Sequence, residues 1–275
     1  MAEFHVLGSG DAYARSEIRV RQIALSDIVD ALRMGIADFM EKPSHYAFVV
    51  LMYPIIGAML FVVASRGNAF QLIYPLLTGF ALLGPIAVLG LYEISRRREL
   101  GLDTSWSHAF EVYKSPAIPA IAAVGAVLLV LFLAWIYSAQ TLYGWLFAGT
   151  THDGFWALAT DVFGTSRGWA LIVLGNAVGF VFALVVLCST VVAFPLLLDR
   201  DVGAVAAIAT SWAVVRKNPV PVLFWGLIVA VLLLLGALPG LVGLIVVLPV
   251  LGHATWHIYR KTVVIDKLEP RPVLR

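Results

Sequence analysis

Long apolar runs, unbroken by charge, limit what this chain can fold into more than any other feature of it. Residues 46–65, 70–92, 117–137, 169–198, 220–238 and 240–259 form such runs. Each approaches or exceeds the roughly 18 residues that a helix needs to cross a hydrocarbon core about 30 Å thick. A strand or loop at that depth would leave backbone N–H and C=O groups without partners, so each run predicts a helix. Composition agrees, with 61% of the 275 residues hydrophobic and 13% charged, against about 25% charged in soluble domains. The sequence therefore predicts an all-α, polytopic membrane helix bundle with about six transmembrane helices. No nucleic-acid partner is expected. The fourth run is long enough to tilt. The last two meet at Pro239-Gly240, a turn signal that makes them a hairpin.

Basic residues set the orientation. Arg15, Arg19, Arg21, Arg33 and Lys42 precede the first run, and Arg96, Arg97, Arg98 and Lys114 lie between the second and third. Arg200, Arg216 and Lys217 lie between the fourth and fifth, and Arg260, Lys261, Lys267, Arg271 and Arg275 follow the sixth. Only Arg66 and Arg167, of 19 Lys and Arg in all, fall on the other side. Both termini are accordingly expected in the cytoplasm. Residues 1–40 hold no apolar run of signal-peptide type. The single Cys188 falls in a span and reads as packing.

The runs are organised by an internal repeat. Glu41-Lys42-Pro43, Lys114-Ser115-Pro116 and Lys217-Asn218-Pro219 each precede a span running outward, and the returning span after it carries a proline, Pro85, Pro195 or Pro249. Proline suits the first turn of a helix, where its missing N–H costs nothing, and the lysine anchors an interface. Three parallel hairpin repeats follow, at about 23–98, 99–203 and 204–262, within an integral membrane domain at 23–262. Residues 1–22 and 263–275 are expected to be cytoplasmic tails. Ahead of the first signature, Leu25, Ile28, Val29, Leu32, Ile36 and Phe39 recur at helical spacing, with Asp27, Asp30, Arg33 and Asp38 elsewhere on the wheel. This predicts an interfacial amphipathic helix on the inner membrane surface, and Trp106-Phe110 and Trp212-Val215 mark shorter counterparts. In the long connection at 138–168, Phe155, Trp156, Leu158, Ala159, Val162 and Phe163 form a stripe that predicts a second kind of interfacial helix.

Five motifs carry a resemblance: Leu83-Gly84-Pro85, Gly90-Leu91-Tyr92-Glu93-Ile94-Ser95-Arg96-Arg97, Gly175-Asn176-Ala177-Val178-Gly179, Pro195-Leu196-Leu197-Leu198-Asp199-Arg200-Asp201, and Pro249-Val250-Leu251-Gly252-His253-Ala254-Thr255-Trp256-His257. Over residues 25–262 the chain resembles a bacterial family of predicted integral membrane proteins that carries a domain-of-unknown-function label. The resemblance implies the bacterial inner membrane. It supplies no activity, cofactor or catalytic residue.

Candidate site residues come from the ends of the proline-bearing spans. Glu93, Arg96 and Arg97 end the second, Asp199, Arg200 and Asp201 the fourth, and His253, His257, Tyr259 and Arg260 the sixth. Repeat symmetry predicts that these ends are neighbours on the cytoplasmic face. One reading is a shared site for a headgroup, metal or partner; the other is helix ends with snorkelling arginines and ordinary ion pairs. His253 and His257, four apart, share a helix face, an arrangement that zinc and haem iron use, with Glu93 or Asp199 as the carboxylate if one joins them. With no cysteine or carboxylate beside them in sequence, no metal and no cofactor are predicted. Gly175, Asn176 and Gly179 predict a close helix-packing surface, inside the bundle or between copies. His-Glu-x-x-His, Gly-x-Ser-x-Gly and Cys-x-x-Cys are all absent from the sequence, so no enzyme is expected. The expected role is an accessory or scaffold protein that binds another membrane protein or lipid. A permease for a small neutral solute is the alternative.

Overall fold

The computed structural model describes residues 18–41, 69–105, 107–200 and 202–265, with 55, 57–59 and 62 besides. Most of the first apolar run, the Lys42-Pro43 signature, Trp106 and Asp201 lie outside the described residues. In chain order the elements are β1 (Ile18–Val20), α1 (Leu25–Glu41), α2 (Ile73–Leu82), α3 (Gly84–Ala87), α4 (Leu89–Glu99), α5 (Ser107–Glu111), α6 (Ile118–Leu146), α7 (Phe155–Gly164), α8 (Ser166–Thr190), α9 (Ala193–Asp199), α10 (Gly203–Lys217), α11 (Pro219–Ala237), α12 (Leu244–Thr262) and β2 (Val263–Ile265). Two compact units result, one from Met1–Leu51, Gly84–Ala126 and Leu187–Arg275, the other from Met52–Leu83 and Val127–Val186.

Among the described residues, three helices are long and apolar enough to cross a membrane: α6, α8 continued through α9, and α11. Only 28% of the most apolar stretch of α6 and 17% of that of α11 is buried within the protein, which is how a helix solvated by lipid should look. The second run is not one continuous helix. Pro85 has no N–H to give to residue 81, and its ring opposes that carbonyl, so the chain divides into α2, α3 and α4. The fourth run breaks at Val191 and Val192, just before Pro195, and there the N–H of Val192 turns to the hydroxyl of Ser211, 3.2 Å away. A buried donor thus keeps a partner where the helical ladder fails. In α12 the helix runs through Pro249 unbroken. Its apolar first half gives way to His253, His257, Arg260 and Lys261, which is why it does not rank with the spans.

In the first unit α12 is the centre, and α1, α4, α9 and α11 all pack on it. The docked face of α1 is Ile28, Ala31, Gly35, Asp38 and Phe39, so only part of the expected amphipathic stripe meets protein. Leu25 and Ile36 stay exposed with Met40, a second apolar strip on another side of the helix. Contact with α12 is close because position 35 is glycine: a Cβ there would sit 2.6 Å from the backbone N of Ala254 and 2.7 Å from the carbonyl of Val250. The sequence-expected tails are not free at their inner ends. Ile18, Arg19 and Val20 pair antiparallel with Ile265, Val264 and Val263, all but Arg19 β-branched residues that suit a short ladder. Between α11 and α12, Gly240 takes the positive φ that the expected Pro-Gly turn requires.

In the second unit Trp135 is the anchor. Its indole N–H donates to the carbonyl of Pro75 at 2.9 Å, and its ring lies on Phe182. The glycine surface of α8 serves this contact: a Cβ on Gly179 would meet Trp135 at 3.2 Å, whereas Gly175 has only Leu142 at 3.8 Å. Asn176 accepts a hydrogen bond from Tyr74 at 2.7 Å. The expected helix in the long connection is α7, with Leu158 buried and Trp156 80% exposed.

The Gly35 contact yields a direct test. Gly35→Ala should destabilise the protein by roughly 1–3 kcal/mol, the usual cost of overpacking, read as a lower unfolding midpoint in mild detergent. An unchanged midpoint would show that α1 does not lie against the backbone of α12.

Candidate functional site

Polar side chains gather in the first unit where α4, α9 and α12 meet. Asp199, on the last turn of α9, is shared by all three helices. Tyr259 of α12 donates to its Oδ2 at 2.7 Å, Arg200 donates to the same oxygen at 3.1 Å, and Arg96 of α4 lies 3.5 Å from Oδ1. Arg260 reaches within 3.6 Å. Arg96 also pairs with Glu93 one turn back, at 3.4 Å. Glu93, Arg96 and Asp199 are all buried. The sequence-predicted ends of the second and fourth runs are therefore adjacent, with Tyr259 and Arg260 from the sixth. Charged side chains this far from water are tolerated only when paired and hydrogen-bonded.

The two histidines go elsewhere. Neither Glu93 nor Asp199 is their carboxylate; that group is Asp38, buried on α1. His257 Nε2 is 2.9 Å from Asp38 Oδ2, and the Ser95 hydroxyl of α4 donates to the same oxygen at 3.1 Å. Ser95 Oγ also sits 2.6 Å from His253 Nδ1. A hydroxyl has one hydrogen, so Ser95 cannot donate to both neighbours. Arg98 donates to Asp38 Oδ1 at 2.6 Å and pairs with Glu41 as well. A small pocket opens here, lined by Asp38, Glu41, Ser95, Arg98, Thr104 and His253. Burial pushes the Asp38 carboxyl up, but the hydrogen bond from His257 and the nearby His257, His253 and Arg98 outweigh it and hold the group below the usual carboxylate range. Among the described residues no group of three metal-ligating side chains has a metal-binding arrangement.

Arg97 points a third way. It donates to the carbonyl of Asp103 at 2.7 Å and pairs with Glu111 of α5 at 3.4 Å, while His108 lies 2.6 Å from the same Glu111 oxygen. Three consecutive arginines on one helix, spaced by 100°, thus tie α4 to α9, α5 and α1. Asp201 lies outside the described residues.

Two features escaped the sequence reading. Asp38 looked like a solvated position of an amphipathic helix. Its cue was its place three residues after Gly35, on the small-residue face that close packing uses. The other feature is in the second unit. His152 Nε2 lies 3.0 Å from Asp161 Oδ2, Arg167 donates to that oxygen at 2.5 Å and covers the Phe147 ring at 4.9 Å, and Tyr143 lies 3.0 Å from His152 Nδ1. These bonds lock α7 between α6 and α8, and hydrogen bonds from His152 and then Arg167 hold the Asp161 carboxyl low.

A helical protein with three membrane-length apolar helices and charge confined to their ends is an integral membrane protein. Residues 73–199 match the family model described as "Predicted integral membrane protein (DUF2189)", the uncharacterised membrane family that the sequence motifs resemble. The matched segment runs from α2 to the shared Asp199. No curated protein matches the chain, and no solved structure does.

Asp38 gives this site a pH signature. Its folded-state pKa is depressed, so its stabilisation is present above the unfolded value and is lost as pH falls through the folded one. Asp38→Asn should lower stability at neutral pH by about 3–5 kcal/mol, the cost of leaving a buried partner uncompensated, and should flatten the acid limb of the stability–pH profile. If the substitution leaves both unchanged, Asp38 does not hold α1 in place.

Proposed function

We propose that this protein is a multi-pass protein of the bacterial inner membrane with about six spans in three parallel hairpin repeats and both termini in the cytoplasm. We propose further that it is a non-enzymatic accessory or scaffold protein that binds a membrane partner or lipid through its cytoplasmic face. The repeat reading is supported by a recurring contact. α5 packs on α4, α10 on α9 and α1 on α12, so each expected amphipathic segment lies on one proline-bearing helix end. Each also leaves apolar side chains exposed: Leu25, Ile36 and Met40 on α1, Phe110 and Tyr113 at α5, and Val205 and Trp212 on α10. A layer of such helices suits the interface between lipid headgroups and water.

The observation that carries the scaffold reading is the mutual pairing of Glu93, Arg96, Asp199 and Tyr259. These side chains find their partners in one another across three helices, which suits a fixed layer better than a substrate site. Charge is also missing from the interiors of α6 and α11, where ion-coupled transporters keep it. A neutral-solute permease has one observation in its favour, the broken helices at Pro85 and Pro195, since discontinuous helices line many transport sites.

Two measurements on the full chain separate these readings. Proteoliposomes should swell in glycerol or urea gradients no faster than empty vesicles. Cross-linking in native membranes should join the protein to a membrane protein, and Phe110→Ser with Tyr113→Ser should reduce that product at least tenfold. Solute-selective swelling with no cross-linked product would replace the scaffold reading by the permease.

A further inference from the structure

At the foot of α11 the chain builds a joint that brings basic residues from distant positions together. Asn218, buried, stands between α10 and α11. Its Nδ2 donates to the carbonyl of Arg21 at 2.9 Å, and its Oδ1 accepts from the N–H of Ile23 at 2.8 Å. Lys217 Nζ donates to the carbonyl of Val20 at 2.7 Å, and the N–H of Arg21 donates to the carbonyl of Thr262 at 2.8 Å. β1 lies against α10. The segment carrying Arg19 and Arg21 is thereby fixed beside Arg216 and Lys217, and all four are exposed. Asp27, the carboxylate that follows on this segment, is held by Lys261 at 3.2 Å and by the N–H of Ala24 at 2.9 Å.

An apolar track starts at the same place. Val220, Leu223, Leu227, Val231 and Leu234 are exposed on α11, and their spacing puts them on one side of the helix. An exposed apolar stripe on a membrane-length helix, rising from a cluster of cations, has the two halves that a phospholipid presents. The track would carry an acyl chain and the cations a phosphate.

We propose that the Arg19, Arg21, Arg216 and Lys217 collar binds the headgroup of an acidic phospholipid, whose acyl chain lies along the Val220 to Leu234 stripe. This deepens the lipid half of the proposed function and rests on α11 being a membrane span with its first residue at the inner surface. The buried asparagine has a role in this joint: with Lys217 and the β1–β2 pairing it holds the segment bearing Arg19 and Arg21 at the end of the span. Neutral phospholipid has no net charge for the collar to select.

The test uses the full chain in dodecyl maltoside and follows its thermal unfolding midpoint with phosphatidylglycerol, phosphatidylcholine or inorganic phosphate added. Phosphatidylglycerol should raise the midpoint, and the other two should not. A basic residue near an acidic lipid surface contributes about fivefold in binding. Arg19→Gln, Arg21→Gln and Arg216→Gln combined should therefore weaken the phosphatidylglycerol response on the order of 100-fold, while the three lysine replacements retain it. Lys217 is left in place because it bonds Val20. Should the glutamine variant fail to fold, salt decides: 500 mM NaCl should abolish the response of the unmodified protein. An equal response to phosphatidylcholine, a response that inorganic phosphate reproduces, or one that survives glutamine substitution or 500 mM NaCl would overturn the proposal. The swelling and cross-linking measurements above do not depend on the collar, so failure here leaves the scaffold reading standing, and the reverse also holds.

Discussion

One carboxylate, Asp199, joins the ends of three helices, and the layer around it depends on that carboxylate being satisfied. A buried charge costs several kcal/mol to desolvate, and Asp199 offsets this with Tyr259, Arg200 and Arg96 around its two oxygens. Arg96 is in turn shared with Glu93. Such a cluster is not the most stable filling for the space, since apolar side chains of the same volume do as well or better. In this arrangement of α4, α9 and α12, Arg96 and Tyr259 both reach the one carboxylate.

Proline divides the apolar runs that end in these short polar helices. The helical ladder is interrupted at Pro85 and before Pro195, so α4 and α9 are elements of their own. The freed backbone groups are answered locally, as by Ser211 at Val192. Consecutive side chains on α4 then reach different neighbours: Ser95 goes to Asp38 and His253, Arg96 to Asp199, Arg97 to Glu111, and Arg98 to Asp38. One turn of helix thus organises α1, α5, α9 and α12.

Helical class was legible because lipid permits little else to a long apolar run, and the three membrane-length helices cover three of the runs expected, α6 extending past its run to Leu146. The juxtaposition of Arg96 and Asp199 was legible through the repeated proline and the charges that follow it. The partner of the histidines was not. Asp38 reads as solvated in an amphipathic pattern, and periodicity alone cannot say that the small face of α1, around Gly35, docks on the polar half of α12. The β1–β2 pairing was hidden for another reason: three-residue strands have no periodicity to read. The His152, Asp161 and Arg167 lock depended on how α7 folds back on its connection, which residue spacing does not specify.

The coupling between Arg96 and Asp199 tests the account most directly. Unfolding free energies in mixed micelles would be measured for Arg96→Leu, Asp199→Leu and the double variant. Either single substitution should cost about 3–5 kcal/mol by leaving a buried charge behind, and the double should cost far less than their sum. Costs that add to within about 0.5 kcal/mol would mean the two side chains do not sense each other, and the shared carboxylate would not be what holds the three helix ends together.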